Sequence, residues 1–187
     1  MTEMLQDEQE IAAFADLVNS EGVLSYLEIG SKFGGSLRRV AAAMPAGSRV
    51  VSVDLPKGTK AWTQSEPSLK GVISDLRSKG YDAHLIWGDS TDQAVIDQVN
   101  VLGPFDCVMI DADHRLPGLT KDWINYGPLG RMVAFHDIAW RRAPDWVGTR
   151  IDVPQLWDVL KQDYQHHQEF KFCPTGKNNG IGVLWRS

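Results

Sequence analysis

The chain lacks the features that would tie it to a membrane, to nucleic acid or to an oxidising compartment. It has only 2 cysteines in 187 residues. Cys107 and Cys173 lie far apart, match no metal-binding spacing, and read as reduced core thiols. No apolar run approaches the roughly 18 residues that span a bilayer. The opening stretch MTEMLQDEQE is acidic and polar, unlike a secretory leader, so a cytoplasmic protein is expected. The net charge of -5 excludes the dense basic surface of a sequence-independent nucleic-acid binder. Repeats, low-complexity tracts and linkers are also missing.

With 43% hydrophobic and 23% charged residues, the composition is that of an ordinary globular chain. The length predicts one domain over residues 1–187, divided into an N-terminal helix within 1–22 and a core over 23–187.

The patterning alternates. Apolar residues Ile11, Phe14, Leu17 and Val18 recur at helical spacing within residues 7–20. Short apolar runs at 25–30, 49–54, 82–89, 105–111 and 130–137 read as strands. Helical segments follow them at 36–44, 68–80, 91–99, 116–127 and 153–164. Gly80 suits a helix C-terminus, Thr91 an N-cap and Pro154 a first turn. This is α/β order, which implies a parallel sheet covered on both faces. EFKFC and GIGVLW close the chain as two strands joined by only seven residues, PTGKNNG. A parallel crossover needs a dozen or more, so this last pair must be antiparallel.

The first strand runs into a glycine-rich turn, YLEIGSKFGGS, and then a helix. Glycines there would let the backbone approach a ligand at the carboxyl ends of the strands. The spacing from Gly30 to Gly34 is G-x-x-x-G, not the G-x-G-x-x-G of dinucleotide enzymes. Asp54 ends the second strand, where a carboxylate can accept from ribose hydroxyls. Gly88-Asp89-Ser90 ends the third, and either Asp89 or Ser90 is placed to meet an adenine edge.

The fourth strand ends in Asp111-Ala112-Asp113-His114 and the fifth in His136-Asp137. Neighbouring strands lie about 5 Å apart, so these acids and imidazoles should meet at one edge. Asp111, His136 and Asp137 could ligate one divalent ion, and His114 could act as general base. Adjacent residues in a regular strand point to opposite faces, so His136 and Asp137 can converge only if the strand ends at or before them.

Together, YLEIGSKFGGS, VVSVD, WGDS, IDADH with the helix LPGLTKDW, AFHD and the final NGIGVLW resemble the class I S-adenosylmethionine-dependent methyltransferases. More narrowly, they are similar to the Methyltransf_24 family of small O-methyltransferase-like proteins, relatives of cephalosporin hydroxylase-like proteins and macrolide sugar O-methyltransferases. The resemblance covers roughly residues 23–186. It implies a Rossmann-like methyltransferase fold with seven strands in the order 3-2-1-4-5-7-6. It implies an S-adenosylmethionine site at Glu28, Gly30, Gly34, Asp54 and Ser90, with Ser31, Leu55, Asp89 and Asp111 beside them. It matches Asp111 and Asp137 to metal-ligand positions and His114 to a base. The cation candidates are magnesium, manganese or iron, and an imidazole at His136 favours the softer two. Two other classes stay open: a non-catalytic S-adenosylmethionine- or nucleotide-binding protein, and a nicotinamide-dependent oxidoreductase.

Two connections, 55–67 and 138–152, are long and follow strand C-termini. The first carries Lys57, Lys60 and Trp62, and in the second Trp140, Arg141, Arg142 and Trp146 would suit a flat or anionic small-molecule acceptor. No separate substrate domain fits in this length. The acceptor must be held by these loops, the N-terminal helix or a second subunit of a homo-oligomer.

Overall fold

The computed structural model describes residues 7–56, 65–140, 150–172 and 179–186. Chain order is α1 (Glu8–Ser20), β1 (Ser25–Ile29), α2 (Gly35–Ala41), β2 (Arg49–Asp54), α3 (Ser65–Ser78), β3 (Asp82–Trp87), α4 (Gln93–Leu102) and β4 (Phe105–Ile110). Then come α5 (Leu116–Tyr126), a 3-10 turn (Gly127–Leu129), β5 (Gly130–His136), α6 (Val153–Asp163), β6 (His167–Phe170) and β7 (Ile181–Trp185). The seven strands form one sheet in the order β3-β2-β1-β4-β5-β7-β6. β1 to β5 run parallel, and β7 is antiparallel to both β5 and β6. The expected order and the antiparallel strand are both observed. Part of the PTGKNNG turn lies outside the described residues.

Alternation along the buried strands sorts the core into two layers. Tyr26, Val50, Cys107, Met109, Met132 and Ala134 face α1, α2 and α3, where Phe14, Leu37 and Leu69 pack. Leu27, Val51, Val108, Val133 and Phe135 face α4, α5 and α6, where Val99, Tyr126 and Trp157 pack. The period of two within each strand thus builds both covered faces of a parallel sheet. Among the described residues no helix is long and apolar enough to cross a membrane. Cys107 is a free, buried thiol, and Cys173 lies outside the described residues.

Two element boundaries differ from expectation. α3 begins at Ser65, so Pro67 sits in its first turn, where the missing N–H costs no helical bond. Thr91 does not cap α4. Its amide and hydroxyl both donate to Asp89 Oδ1, at 2.8 Å each, and the helix starts two residues later. Asp89 therefore closes a local turn, the usual competitor of a cap.

Beneath the β1–α2 turn lies a buried polar knot. Tyr26 donates to Glu28 Oε2 at 2.6 Å and Ser36 donates to Oε1 at 2.8 Å, tying β1 to the first turn of α2. Burial pushes the Glu28 carboxyl up to about 7, against the pull of these two donors. The unfolded chain releases this proton above about pH 4.5, whereas the folded chain keeps it to about 7. Folding therefore takes up a proton in that window, and stability falls as pH rises through it. A gap of this size is worth about 3 kcal/mol. Glu28→Gln should remove that loss. In urea titrations between pH 4.5 and 7.5, its stability relative to the parent should climb and then level. A difference that does not change with pH would show that Glu28 is already ionised in the fold.

Candidate functional site

The C-terminal ends of β1, β2, β4 and β5 meet along one edge, and the chain after each carries the residues that the sequence singled out. After β1, the Gly34 amide donates to the Ser31 carbonyl at 2.7 Å, and Lys32 adopts φ 51, so the backbone folds back tightly. The Lys32 amide then donates to Asp54 Oδ2, and the Leu55 amide donates to Oδ1 at 2.7 Å. Asp54 pins the turn to the end of β2. A carboxylate offers about four acceptor positions, so it can still accept from further donors.

The glycines also make room for the chain itself. Gly30 has φ +90, and a Cβ there would stand 2.4 Å from the Asp111 carbonyl oxygen. Gly34 has φ +78, and its Cβ would press on Leu69 and Val72 of α3. Both serve close packing of chain on chain. Ser31 accepts from Ser52 at 2.7 Å and is buried, and Glu28 lies in the knot below. These two support the turn from beneath. Gly30, Lys32, Asp54 and Leu55 form its upper surface. Ser90, after β3, is half-buried, and its carbonyl accepts from Tyr126 at 2.6 Å.

The second cluster joins the ends of β4 and β5. Asp111 Oδ1 is 3.1 Å from His114 Nε2 and 3.1 Å from His136 Nδ1. His114 Nδ1 lies 3.3 Å from Asp137 Oδ2, and His136 Nδ1 lies 3.5 Å from Asp137 Oδ1. His136 and Asp137 converge because β5 ends at His136 and Asp137 turns to φ 65. Asp113, between Asp111 and His114 in sequence, points away and pairs with Arg115 at 2.9 Å. Of the four clustered side chains, His114 is the most open to solvent, at 29% against 10% for Asp111 and 6% for the other two.

Electrostatics follow from this pairing. Burial alone would raise the Asp111 carboxyl, but His136 and then His114 outweigh it and hold the group well below the usual carboxylate range. Burial also opposes charge on His136, yet Asp111 and Asp137 lift its pKa to about 9. His114 is raised for the same reason. Burial, and then the Asp111 charge, raise Asp137. The two carboxylates thus favour the protonated form of His136. Among the described residues no group of three or more His, Cys, Asp or Glu is disposed to hold a metal ion. The expected ligands Asp111, His136 and Asp137 come together, but they are turned on one another and do not fit a divalent cation as placed.

Three buried acids support the site without any signal in the local sequence. Glu10 of α1 accepts from Phe172 at 3.2 Å and from Gly180 at 2.9 Å, holding the ends of the β6–β7 connection. Gly180 in turn accepts from Ile138, next to Asp137. Asp152 donates its amide to the His114 carbonyl at 2.7 Å and accepts from Leu116 at 3.1 Å, so it fixes the loop that carries His114. Asp122 lies beside Ser90. Of the loop residues expected to hold an acceptor, Trp140 is described and half-buried. Lys57, Lys60, Trp62, Arg141, Arg142 and Trp146 lie outside the described residues.

The methyltransferase-domain family Methyltransf_24 matches residues 27–138, more than half of the chain. No curated protein matches the sequence. Among solved structures, the O-methyltransferase TomG from Streptomyces achromogenes, involved in tomaymycin synthesis and in complex with S-adenosylmethionine, superposes with a TM-score of 0.69 at 16% identity. That match covers 100% of this chain and 84% of TomG. An O-methyltransferase from Bacillus cereus in complex with S-adenosylhomocysteine gives a TM-score of 0.70 at 15% identity, covering 97% of this chain and 82% of its own. At these identities the likeness carries the fold. The family match carries the rest, and the chain belongs to the Methyltransf_24 family of class I S-adenosylmethionine-dependent methyltransferases.

Proposed function

We propose that this chain transfers a methyl group from S-adenosylmethionine to an oxygen of a small hydroxylated acceptor, with His114 as the general base. The observation that carries this reading is the imidazole–carboxylate cluster at the ends of β4 and β5, one strand from the Asp54-pinned turn. Gly30, Lys32, Asp54, Leu55 and Ser90 would hold the cofactor, with Asp54 accepting from its ribose hydroxyls. When bound, S-adenosylmethionine would supply a methyl group on a positively charged sulfur. The residues have two tasks: to align the acceptor oxygen with that methyl group and to take its proton.

His114 is suited to the second task. It is the most exposed member of the cluster; Asp111 lies 3.1 Å from its Nε2 and Asp137 3.3 Å from its Nδ1, so one of these contacts must open before a ring nitrogen can take the acceptor's proton. Once it takes a proton, the two carboxylates stabilise the imidazolium, which is why its basicity is raised. Asp152 fixes its loop. No step is assigned to a divalent ion, because the donors that would hold one are engaged with each other. A cytoplasmic location, a small-molecule acceptor and a homo-oligomer remain part of this proposal.

Calorimetric titration should show binding of S-adenosylhomocysteine and none of NAD. Asp54→Ala should weaken the former by about 1–3 kcal/mol, the worth of charge-assisted hydrogen bonds to ribose. Tight NAD binding without a response to S-adenosylhomocysteine would refute the reading.

Turnover on a panel of hydroxylated acceptors should fall about 10²–10⁴-fold in His114→Ala, with S-adenosylhomocysteine affinity nearly intact. A chelator should leave the parent's turnover unchanged. Full activity of His114→Ala would remove the base. Loss of activity with chelator, restored by manganese, would show that an ion displaces the imidazole–carboxylate pairs.

A further inference from the structure

Glu10 is a fully buried carboxylate that the chemistry proposed above leaves without a task. It belongs to α1, whose Ile11 and Phe14 are sunk in the core, so its backbone is firmly held. Each of its oxygens accepts one amide, Oε1 from Phe172 at 3.2 Å and Oε2 from Gly180 at 2.9 Å. These two amides flank the connection between β6 and β7. Gly180 precedes Ile181, which stands opposite His136 in the sheet, so the clamp reaches the end of β5.

Two backbone bonds carry the clamp onward. The Ile138 amide donates to the Gly180 carbonyl at 3.4 Å, and the Ala139 amide donates to the Asn179 carbonyl at 2.9 Å. Gly180 has φ +71 and packs so closely that a Cβ there would stand 3.0 Å from both Ile138 and Ala139. The chain just after Asp137 is thereby fixed. The Trp140 amide then donates back to the Asp137 carbonyl at 3.1 Å and closes the turn. Left-handed backbone at a non-glycine residue persists where the surroundings impose it, and Asp137 has φ 65. In that conformation Asp137 Oδ2 lies 3.3 Å from His114 Nδ1.

We infer, resting on the reading of His114 as the base, that Glu10 is a positioning residue: it sets Asp137 against His114 Nδ1 and so leaves Nε2 as the nitrogen that takes the acceptor's proton. A neutral imidazole has one N–H and can donate to only one of two carboxylates. Its other nitrogen then turns a lone pair on the second carboxylate, and that contact opens. The Asp111 contact is the one that opens. Asp111 Oδ1 keeps His136 Nδ1 at 3.1 Å, whereas Asp137 is held in place by the clamp. With Nδ1–H donated to Asp137, the acceptor's hydroxyl proton moves to Nε2. The acceptor oxygen forms its bond to the methyl carbon as the carbon–sulfur bond breaks onto sulfur, and the imidazolium afterwards gives its proton to water.

The test compares Glu10→Gln, Asp137→Ala and the double variant for turnover on the acceptor panel, with S-adenosylhomocysteine affinity measured alongside. A glutamine has one acceptor oxygen and can serve only one of the two amides. Glu10→Gln should lower kcat about tenfold or more at unchanged S-adenosylhomocysteine affinity, as expected for a slightly misplaced base. The double variant should lose no more than Asp137→Ala alone, since both changes act on one contact. Gly180→Ala presses on Ile138 and Ala139 without touching α1. It should show the same loss and the same coupling to Asp137→Ala, which covers the case in which Glu10→Gln does not fold. Nitrogen-15 NMR at alkaline pH, where His114 is neutral, reads the contact without turnover. It should show a protonated Nδ1 and a bare Nε2 in the parent, and a mixture of the two tautomers in Glu10→Gln. Full turnover in Glu10→Gln, losses that multiply in the double variant, or a bare Nδ1 in the parent would overturn the inference. Full turnover in His114→Ala would instead remove the base reading itself.

Discussion

The ends of β1 and β4 approach more closely than any side chain would allow. A Cβ on Gly30 would stand 2.4 Å from the Asp111 carbonyl, and the Asp111 amide donates to Ile29 at 2.8 Å. This contact sets the turn after β1 directly beside the cluster after β4. Asp54 then fixes the far side of the turn by accepting the Lys32 amide. The crevice has a floor because of these two contacts, and neither depends on a ligand. A methyl donor lying on the turn and an acceptor held over His114 would meet across one strand spacing, about 5 Å.

The charges at this edge balance among themselves. Two carboxylates and two imidazoles share three short contacts around Asp111 and Asp137, and burial opposes every charge in the group. Removing either partner of a buried pair leaves the other uncompensated, which costs more than the pair contributes. The arrangement is therefore stiff. The acids that surround it act at a distance through backbone: Glu10 through Gly180 and Ile138, Asp152 through the His114 carbonyl. Support of this kind holds catalytic groups in place without entering the chemistry.

What the sequence made legible follows from local rules. Short, nearly continuous apolar runs ending in polar residues placed all five parallel strands, and the short closing connection required β7 to be antiparallel. The convergence of Asp111, His114, His136 and Asp137 followed from strand adjacency alone. The condition on His136 and Asp137 was met by the end of β5. What was not legible depends on contacts between distant segments. Glu10 meets Gly180 across 170 positions, and nothing around either residue announces it. That the missing Cβ atoms of Gly30 and Gly34 also make room for Asp111 and α3 could not be read from the motif. Asp113 stays outside the cluster, in a salt bridge to Arg115.

The same limit explains why a metal site was expected from the sequence. Asp111, His136 and Asp137 are the residue types that bind a divalent ion, and composition cannot say whether such groups face a common point or each other. A neutral histidine ligates, and a protonated one repels a cation. The choice lies with the carboxylates. Asp111 and Asp137 hold His136 protonated up to a pKa of about 9, so a cation would have to displace a proton as well as open the hydrogen bond between His136 and Asp111.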